Sequence, residues 1–568
     1  MVSAKSSIIL FIVGFVLAAG LATAASGQTS QPGIQHLQRL VRQMSILEAR
    51  PGFDSAAPHG ASANLVGLAE RWPGTHRKIA AMLSAMAEAQ TDARDLGKSR
   101  RGSGQNPISN GALKSSRFSG YTQNETATAW CGSNVAIAFV DTASEMLTLA
   151  GGGSVSTIGM AISPNSGKSF EYLGWPAVGS DPNDMLTGDP AIACGDKNTF
   201  YYTSLWSGSN GTSGVVLGKS TDGGAHFSLP ATVIAKPVFS DFIGTDWLAL
   251  NTSSPDQLYV IYVDTDFSGS LCGTDPTSGA AIARYAVEMV SSANGGASWS
   301  PVPTVIEQVC ADSISPDASL TGSRVIVGPQ GQVYAAWEAI GENGGTSTSR
   351  QIKFAESVDG GATFSVPVVV ANVVPVGDGA DLQGFIRANE FPSLAIGAGP
   401  KNNGVIYLAW NNGADAAHDA LTTTATYAFA DIDLAVSHDN GKSWSAPMRV
   451  NNNGETASFA PTDQYEPAVA SDKSGRVAVC FYDRRRDPRN FLIDRECASS
   501  KTGGAPWVNK QITTTSFASV VGQDLLVAPD YMGDYEALAS DATHQSAGFI
   551  DTYSTTVGGH PGVAVSRY

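Results

Sequence analysis

The chain changes its hydrophobic period partway along. Ile34, Leu37, Leu40, Val41, Met44 and Leu47 recur three or four residues apart, the spacing of one helix face. A second such stretch runs from His76 to Gly97, and Pro51-Gly52 breaks the pattern between the two. Residues 98–111, KSRRGSGQNPISNG, are polar and rich in Gly and Ser. From about residue 120 onward, apolar and polar positions alternate in short runs bounded by Gly, Asn and Asp, which predicts strands. The expected organisation is an export signal over 1–25, a helical pro-segment or spacer over 26–101, a linker over 102–119, and an all-β domain over 120–568.

The strands repeat. Pairs such as ETATAW and NVAIAFVD, DPAIAC and TFYYTSL, or EPAVAS and RVAVCFYD occur seven times, each followed by a third strand. In six units the third strand runs into one short motif. It reads SPNSGKSF from Ser163, STDGGAHF from Ser220, SANGGASW from Ser292, SVDGGATF from Ser357 and SHDNGKSW from Ser437, with a weaker SKTGGAPW from Ser500. Four-stranded units at this interval are propeller blades, because a lone sheet cannot bury both faces and must stack on neighbours. Seven blades are expected, with six as the alternative. The last unit holds three strands, and its fourth is expected from RFSGYT (117–122).

The motif is a turn between third and fourth strands. Gly224 takes positive φ without a Cβ clash, Ser220 and Asp222 hydrogen-bond nearby backbone N–H groups, and Phe227 starts the next strand facing inward. Asn replaces Asp at positions 165 and 294, which a catalytic carboxylate would not tolerate. The motif resembles the Asp-box, the bacterial neuraminidase repeat, over residues 120–568. That resemblance implies a β-propeller of the sialidase-like superfamily, acting on extracellular glycans. Two classes of function follow from it: an exo-acting glycoside hydrolase, or a non-catalytic propeller that binds glycan or protein.

The boxes share one face of the disc, so a ligand mouth belongs on the other. There, first strands begin near Glu125, Asp189, Asp246, Glu390, Glu466 and Asp534, with Arg324 nearest the missing acid. A structural calcium ion would suit such acids, and no other cofactor is expected. Three singular features stand out on that face: FIRANEFP with Arg387 before Glu390, YDRRRDPRN with Arg484 and Arg485, and APDYMGDYE with Tyr531, Asp534, Tyr535 and Glu536. The resemblance to sialidases implies arginines that hold a sugar carboxylate, a Tyr–Glu nucleophile pair and an Asp acid/base. The candidates are Arg387, Arg484, Arg485, Arg324 and Arg350 for the substrate, with Glu390 beside them. Tyr535 or Tyr531, partnered by Glu466 or Glu536, would be the nucleophile, and Asp534 the further catalytic acid. The chain departs from the family pattern in having no Arg over residues 118–162.

Charge and cysteines narrow the setting. Formal net charge is −16, and residues 31–101 carry ten Lys/Arg against six Asp/Glu, so with Lys5 the remainder from 102 on is −21. An acidic body disfavours nucleic acid and anionic membrane as partners. Lys5, the apolar run SIILFIVGFVLAAGLA and Ala22-Thr23-Ala24 read as a cleaved export signal, leaving no stable membrane span. A secreted or periplasmic monomer is expected. In such a compartment six cysteines suggest disulfides, and the repeat frame favours Cys131–Cys194, Cys272–Cys310 and Cys480–Cys497.

Overall fold

The computed structural model describes residues 122–568 apart from 144–154, 180, 182–183, 313–317, 342–349, 378–380, 385, 419–425, 454–461, 520–530 and 558–559. The expected signal, helical segment and linker lie outside the described residues, and so does all of RFSGYT except Thr122.

Alternating patterns become seven antiparallel sheets, the blades of a seven-bladed β-propeller. Blade 1 is built from Gln123–Cys131, Asn134–Asp141, Ile158–Ser163 and Glu171–Gly174. Blade 2 is Met185–Cys194, Phe200–Ser207, Thr212–Ser220 and Ala231–Pro237, with the short strand Val155–Ser156 added in parallel. Blades 3 and 4 start at Asp241–Asn251 and Ser319–Val327, and blades 5 and 6 at Ser393–Ile396 and Gln464–Ser471. Blade 7 has three strands among the described residues: Ala537–Ser540, Phe549–Val557 and His560–Arg567. Each first strand touches the next around the axis, and that of blade 7 touches that of blade 1, so the ring is closed.

Burial explains the closure. Both faces of each blade carry apolar side chains that only the neighbouring blade can cover. Tyr334, Phe354, Ile406 and Trp410 pack between blades 4 and 5, and Val135, Phe139, Ile550 and Val563 join blade 1 to blade 7. The three expected disulfides form, one across blades 1 and 2, one within blade 3 and its loop, and one between neighbouring strands of blade 6. Among the described residues no helix is long and apolar enough to cross a membrane.

The repeated turn works as its residues dictate. Ser220 Oγ donates to Asp222 Oδ1 (2.8 Å) and accepts from Gly224 N (2.9 Å), while His226 N donates to the same carboxyl oxygen (3.0 Å). Gly223 and Gly224 take φ of 81° and 92°. Asn165 accepts from Ser169 N at 2.9 Å in the equivalent place, which is why Asn serves as well as Asp. Phe227 packs edge-on to Tyr202 at 5.2 Å.

The acids at the starts of the first strands do not form a regular ring, because they occupy three register positions. The first pairs below the mouth are Ala127↔Ala138, Ala191↔Thr203, Trp247↔Ile261, Ser393↔Ala409, Ala468↔Cys480 and Ala537↔Thr552. Glu125, Asp189 and Glu466 stand two residues before their pairs, Asp246 one, and Glu390 and Asp534 three. A bulge at the top of the first strand, marked by a register break in blades 1, 2, 3, 4 and 6, sets Glu125, Asp189, Asp246 and Glu466, whereas Glu390 and Asp534 precede strands that carry no such break. An extra residue there re-aims each side chain independently.

Candidate functional site

The bulges set the site. Glu125, Asp189 and Glu466 hold φ of 51°, 49° and 51°, a left-handed conformation that costs a side-chain-bearing residue on the order of 1 kcal/mol or more. Each is also almost fully buried. Strained and buried acids at equivalent positions of three blades line the upper axis.

Tyr531 and Glu125 form the central pair. The Tyr531 hydroxyl donates to Glu125 Oε1 across 406 residues of sequence. Arg387 lies over the Tyr531 ring, its guanidinium carbon 4.7 Å from the centroid. A two-stranded hairpin, Asp381–Leu382 with Ile386–Arg387, delivers that arginine. The hairpin is anchored because Leu382, Ile386 and Ala388 join Tyr465, Tyr482 and Met532 in one apolar cluster. Arg387 Nη2 donates to both oxygens of Asp534 (3.0 and 3.1 Å), and Asn389 Nδ2 donates to Asp534 Oδ1 (3.0 Å).

Burial raises the Tyr531 phenol well above its ordinary pKa, with the Glu125 and Asp534 charges adding to the effect. Burial, then Asp189 and Asp534, hold the Glu125 carboxyl well above the usual carboxylate range. Asp189 is pushed up to about 7, chiefly by burial, although Thr245 N donates to it at 2.9 Å. Asp189, at about 7, is divided between acid and carboxylate at neutral pH, the condition for general acid chemistry.

Arg324 is the second cation. Its guanidinium lies 4.2 Å from the Trp247 ring and 4.7 Å from that of Tyr535, and Nη1 donates to its own neighbour Ser323 O (2.9 Å). No carboxylate among the described residues comes within ion-pair distance of it. Burial pulls its pKa down, against the pull of Tyr535 and Asp189. A cavity of about 100 Å³ lies below, reaching Arg324, Asn389, Glu466, Asp534, Tyr535 and Glu536. That is room for a few waters, well short of the roughly 300 Å³ of a small-molecule pocket.

Apart from Glu466, the other candidates have structural partners. Tyr535 donates to Pro190 O (3.1 Å), not to Glu466 or Glu536. Glu536 is held by Thr126 Oγ1 (2.6 Å), Tyr482 Oη (2.6 Å) and Ser554 N (2.8 Å). Neither oxygen of Glu466 finds a hydrogen-bond partner among the described residues, and burial raises its pKa well above normal. Arg350 bridges Glu338 and Glu390, and Glu390 also accepts from Val376 N (3.0 Å). Arg484 donates to Asp463 (3.2 Å) and Gln383 O (2.9 Å). Arg485 grips Asp483, Asn452 and Asn509. The structure thus brings together Tyr531, Asp534, Arg387 and Arg324, and leaves Arg350, Arg484 and Arg485 in separate knots. Sequence reasoning missed Glu125 as the partner of Tyr531.

No family model matches the sequence, and no curated protein does. Among solved structures, the chain is similar to a Hadza microbial sialidase at 14% identity, covering 67% of this chain and 65% of that one with a TM-score of 0.38. It is similar to a Penicillium chrysogenum α-L-arabinanase at 12%, covering 68% and 94% with a TM-score of 0.42. An α-L-arabinofuranosidase from Fusarium graminearum matches at 11%, covering 68% and 93%, again with a TM-score of 0.42. The chain therefore spans just under two thirds of the sialidase's length. At these identities no residue role passes from those proteins to this one.

Proposed function

We propose that this protein is an exported glycoside hydrolase of the Asp-box, sialidase-like kind, working on extracellular glycans at the axial mouth. The hydrogen bond from Tyr531 to Glu125 beneath Arg387 carries the reading. A phenol becomes a nucleophile only when a base takes its proton, and Glu125 is so placed. Tyr531 Oη attacks the anomeric carbon as its proton passes to Glu125. The glycosidic oxygen leaves with the proton held by Asp189. Asp189, now ionised, takes a proton from the water that attacks the anomeric carbon, and the departing Tyr531 oxygen recovers its proton from Glu125. Arg387 supports the developing phenolate through the ring it covers.

A panel of aryl glycosides, the sialoside included, tests this with the purified protein, Tyr531→Phe and Glu125→Gln. Turnover by the parent alone is the expected result. A folded parent inactive on the whole panel removes the hydrolase reading. The second reading is a non-catalytic propeller that binds glycan or protein. It is favoured by the carboxylate pairing of Arg350, Arg387, Arg484 and Arg485, and saturable sugar binding without turnover would support it.

A further inference from the structure

We infer that the mouth takes a neutral sugar and discriminates against acidic ones, an inference that rests on the glycan-acting reading above and names its substrate class. The charges of the upper axis can be paired off. Arg387 is neutralised by Asp534, Arg350 by Glu338 and Glu390, and Arg495 by Asp551 through Nε and Nη2 at 2.9–3.2 Å. What is left over is one cation, Arg324, against five carboxyls, Glu125, Asp189, Asp246, Glu466 and Glu536, besides the second of the two acids that share Arg350. None of these five has a cation within ion-pair distance among the described residues.

A sugar carboxylate entering this site would have to be held by Arg324 alone or to take Arg387 from Asp534. The first leaves it facing a surplus of acids in a dry site. The second strands Asp534 as a buried charge. Removing a carboxylate from water needs a matched, fully paired partner set, and the mouth offers none. Hydroxyl groups face no such conflict. Carboxyls, ionised or protonated, accept and donate to them, and Glu125 Oε2 and both oxygens of Glu466 are buried and unpartnered. Both acids are more than nine-tenths buried.

The experiment compares 4-nitrophenyl glycosides of neutral pentoses and hexoses with the glucuronide and with an aryl sialoside, on the full chain. The expected result is a kcat/KM on the best neutral glycoside at least 100-fold above either acidic one. An acidic glycoside turned over as well or better overturns the inference and leaves the hydrolase reading standing. If nothing is turned over, the hydrolase reading falls, and calorimetric titration with the free sugars decides the inference instead. Neutral-sugar binding with none of glucuronate or N-acetylneuraminate supports it, and absence of neutral-sugar binding overturns it. Asp534→Asn releases Arg387 and is expected to narrow the neutral-to-acidic ratio about tenfold. Glu466→Gln removes a carboxyl that holds no hydrogen bond and narrows the ratio in the same direction, which serves if Asp534→Asn does not fold. An unchanged ratio in a folded variant overturns the charge argument.

Discussion

Arg387 and Asp534 lie 147 residues apart, and one guanidinium nitrogen of Arg387 donates to both carboxyl oxygens of Asp534. Both side chains are buried. The arginine comes from the hairpin before blade 5 and the acid from the entry to blade 7, so the pair ties the insertion to the ring. Arg387→Met leaves Asp534 buried without its cation and is expected to cost about 3–5 kcal/mol. Adding Asp534→Asn to that variant is expected to recover part of the loss. Urea titration of the two single variants and the double variant measures the coupling.

Tyr531→Phe removes the hydroxyl proposed as the nucleophile while keeping the ring under Arg387. Turnover is expected to fall at least 1000-fold. Stability falls by about 1–3 kcal/mol, because Glu125 loses the donor to its Oε1. Single-turnover kinetics beside a thermal melt separates the two effects.

Arg485 sits at the rim of blade 6 with Asp483, Asn452 and Asn509. Arg485→Ala is expected to keep kcat/KM within about threefold and to lower stability by about 1–3 kcal/mol, since its partners are left without donors. A loss of turnover larger than tenfold would bring YDRRRDPRN back into the site.

Asp189 carries the pH dependence. Its carboxyl titrates at about 7 in the folded protein against 3.8 ordinarily. Between about pH 4 and 7 the unfolded chain has lost this proton and the folded chain keeps it. Stability from this group therefore falls as pH rises through that window and is flat above it. Asp189→Asn is expected to flatten the slope, read as the difference in midpoint between pH 5 and pH 8. In its proposed role of general acid, Asp189 also sets the alkaline limb: kcat/KM is expected to decline above about pH 7, because the proton it supplies is gone.

In the repeated turn, Ser220 is buried and both donates and accepts. Ser220→Ala is expected to cost about 1–3 kcal/mol, whereas Asp222→Asn, the residue that positions 165 and 294 already use, is expected to change stability little. Neither alters turnover, because the boxes lie on the face away from the mouth. Melting curves and rates on the same preparations check both halves.

The blade count, the turns and the three disulfides were legible because each is written locally. The turn is eight residues long, and the cysteines sit at fixed places in the repeat. The pairing at the mouth was not legible, for a physical reason. Bulges interrupt the tops of the first strands in blades 1, 2, 3, 4 and 6 but not in blades 5 and 7, and around the ring the acids stand one, two or three residues before the first ladder pair. Side-chain direction there follows the bulge and not the alternation that located the strands. Glu125 looked like one of six acids at the starts of first strands, it shares its left-handed backbone with Asp189 and Glu466, and only its Tyr531 contact sets it apart. Arg484 and Arg485 looked singular because four arginines cluster in nine residues, yet both are engaged by side chains of neighbouring strands and loops, Asp463 for one and Asp483, Asn452 and Asn509 for the other.

Glu125 belongs to the first blade, and Tyr531 stands at the entry to the last. The same junction is stitched by Thr126 to Glu536 and by Gly132 N to Asp541 Oδ1 at 2.9 Å. The central pair therefore straddles the seam of the ring. A growing chain would have laid down six blades and still possess no nucleophile, because Tyr531 meets its base only when the two ends of the propeller dock. Catalytic competence and circular closure would then be one event, and a chain whose seam has opened would be silent on substrate before any blade had melted.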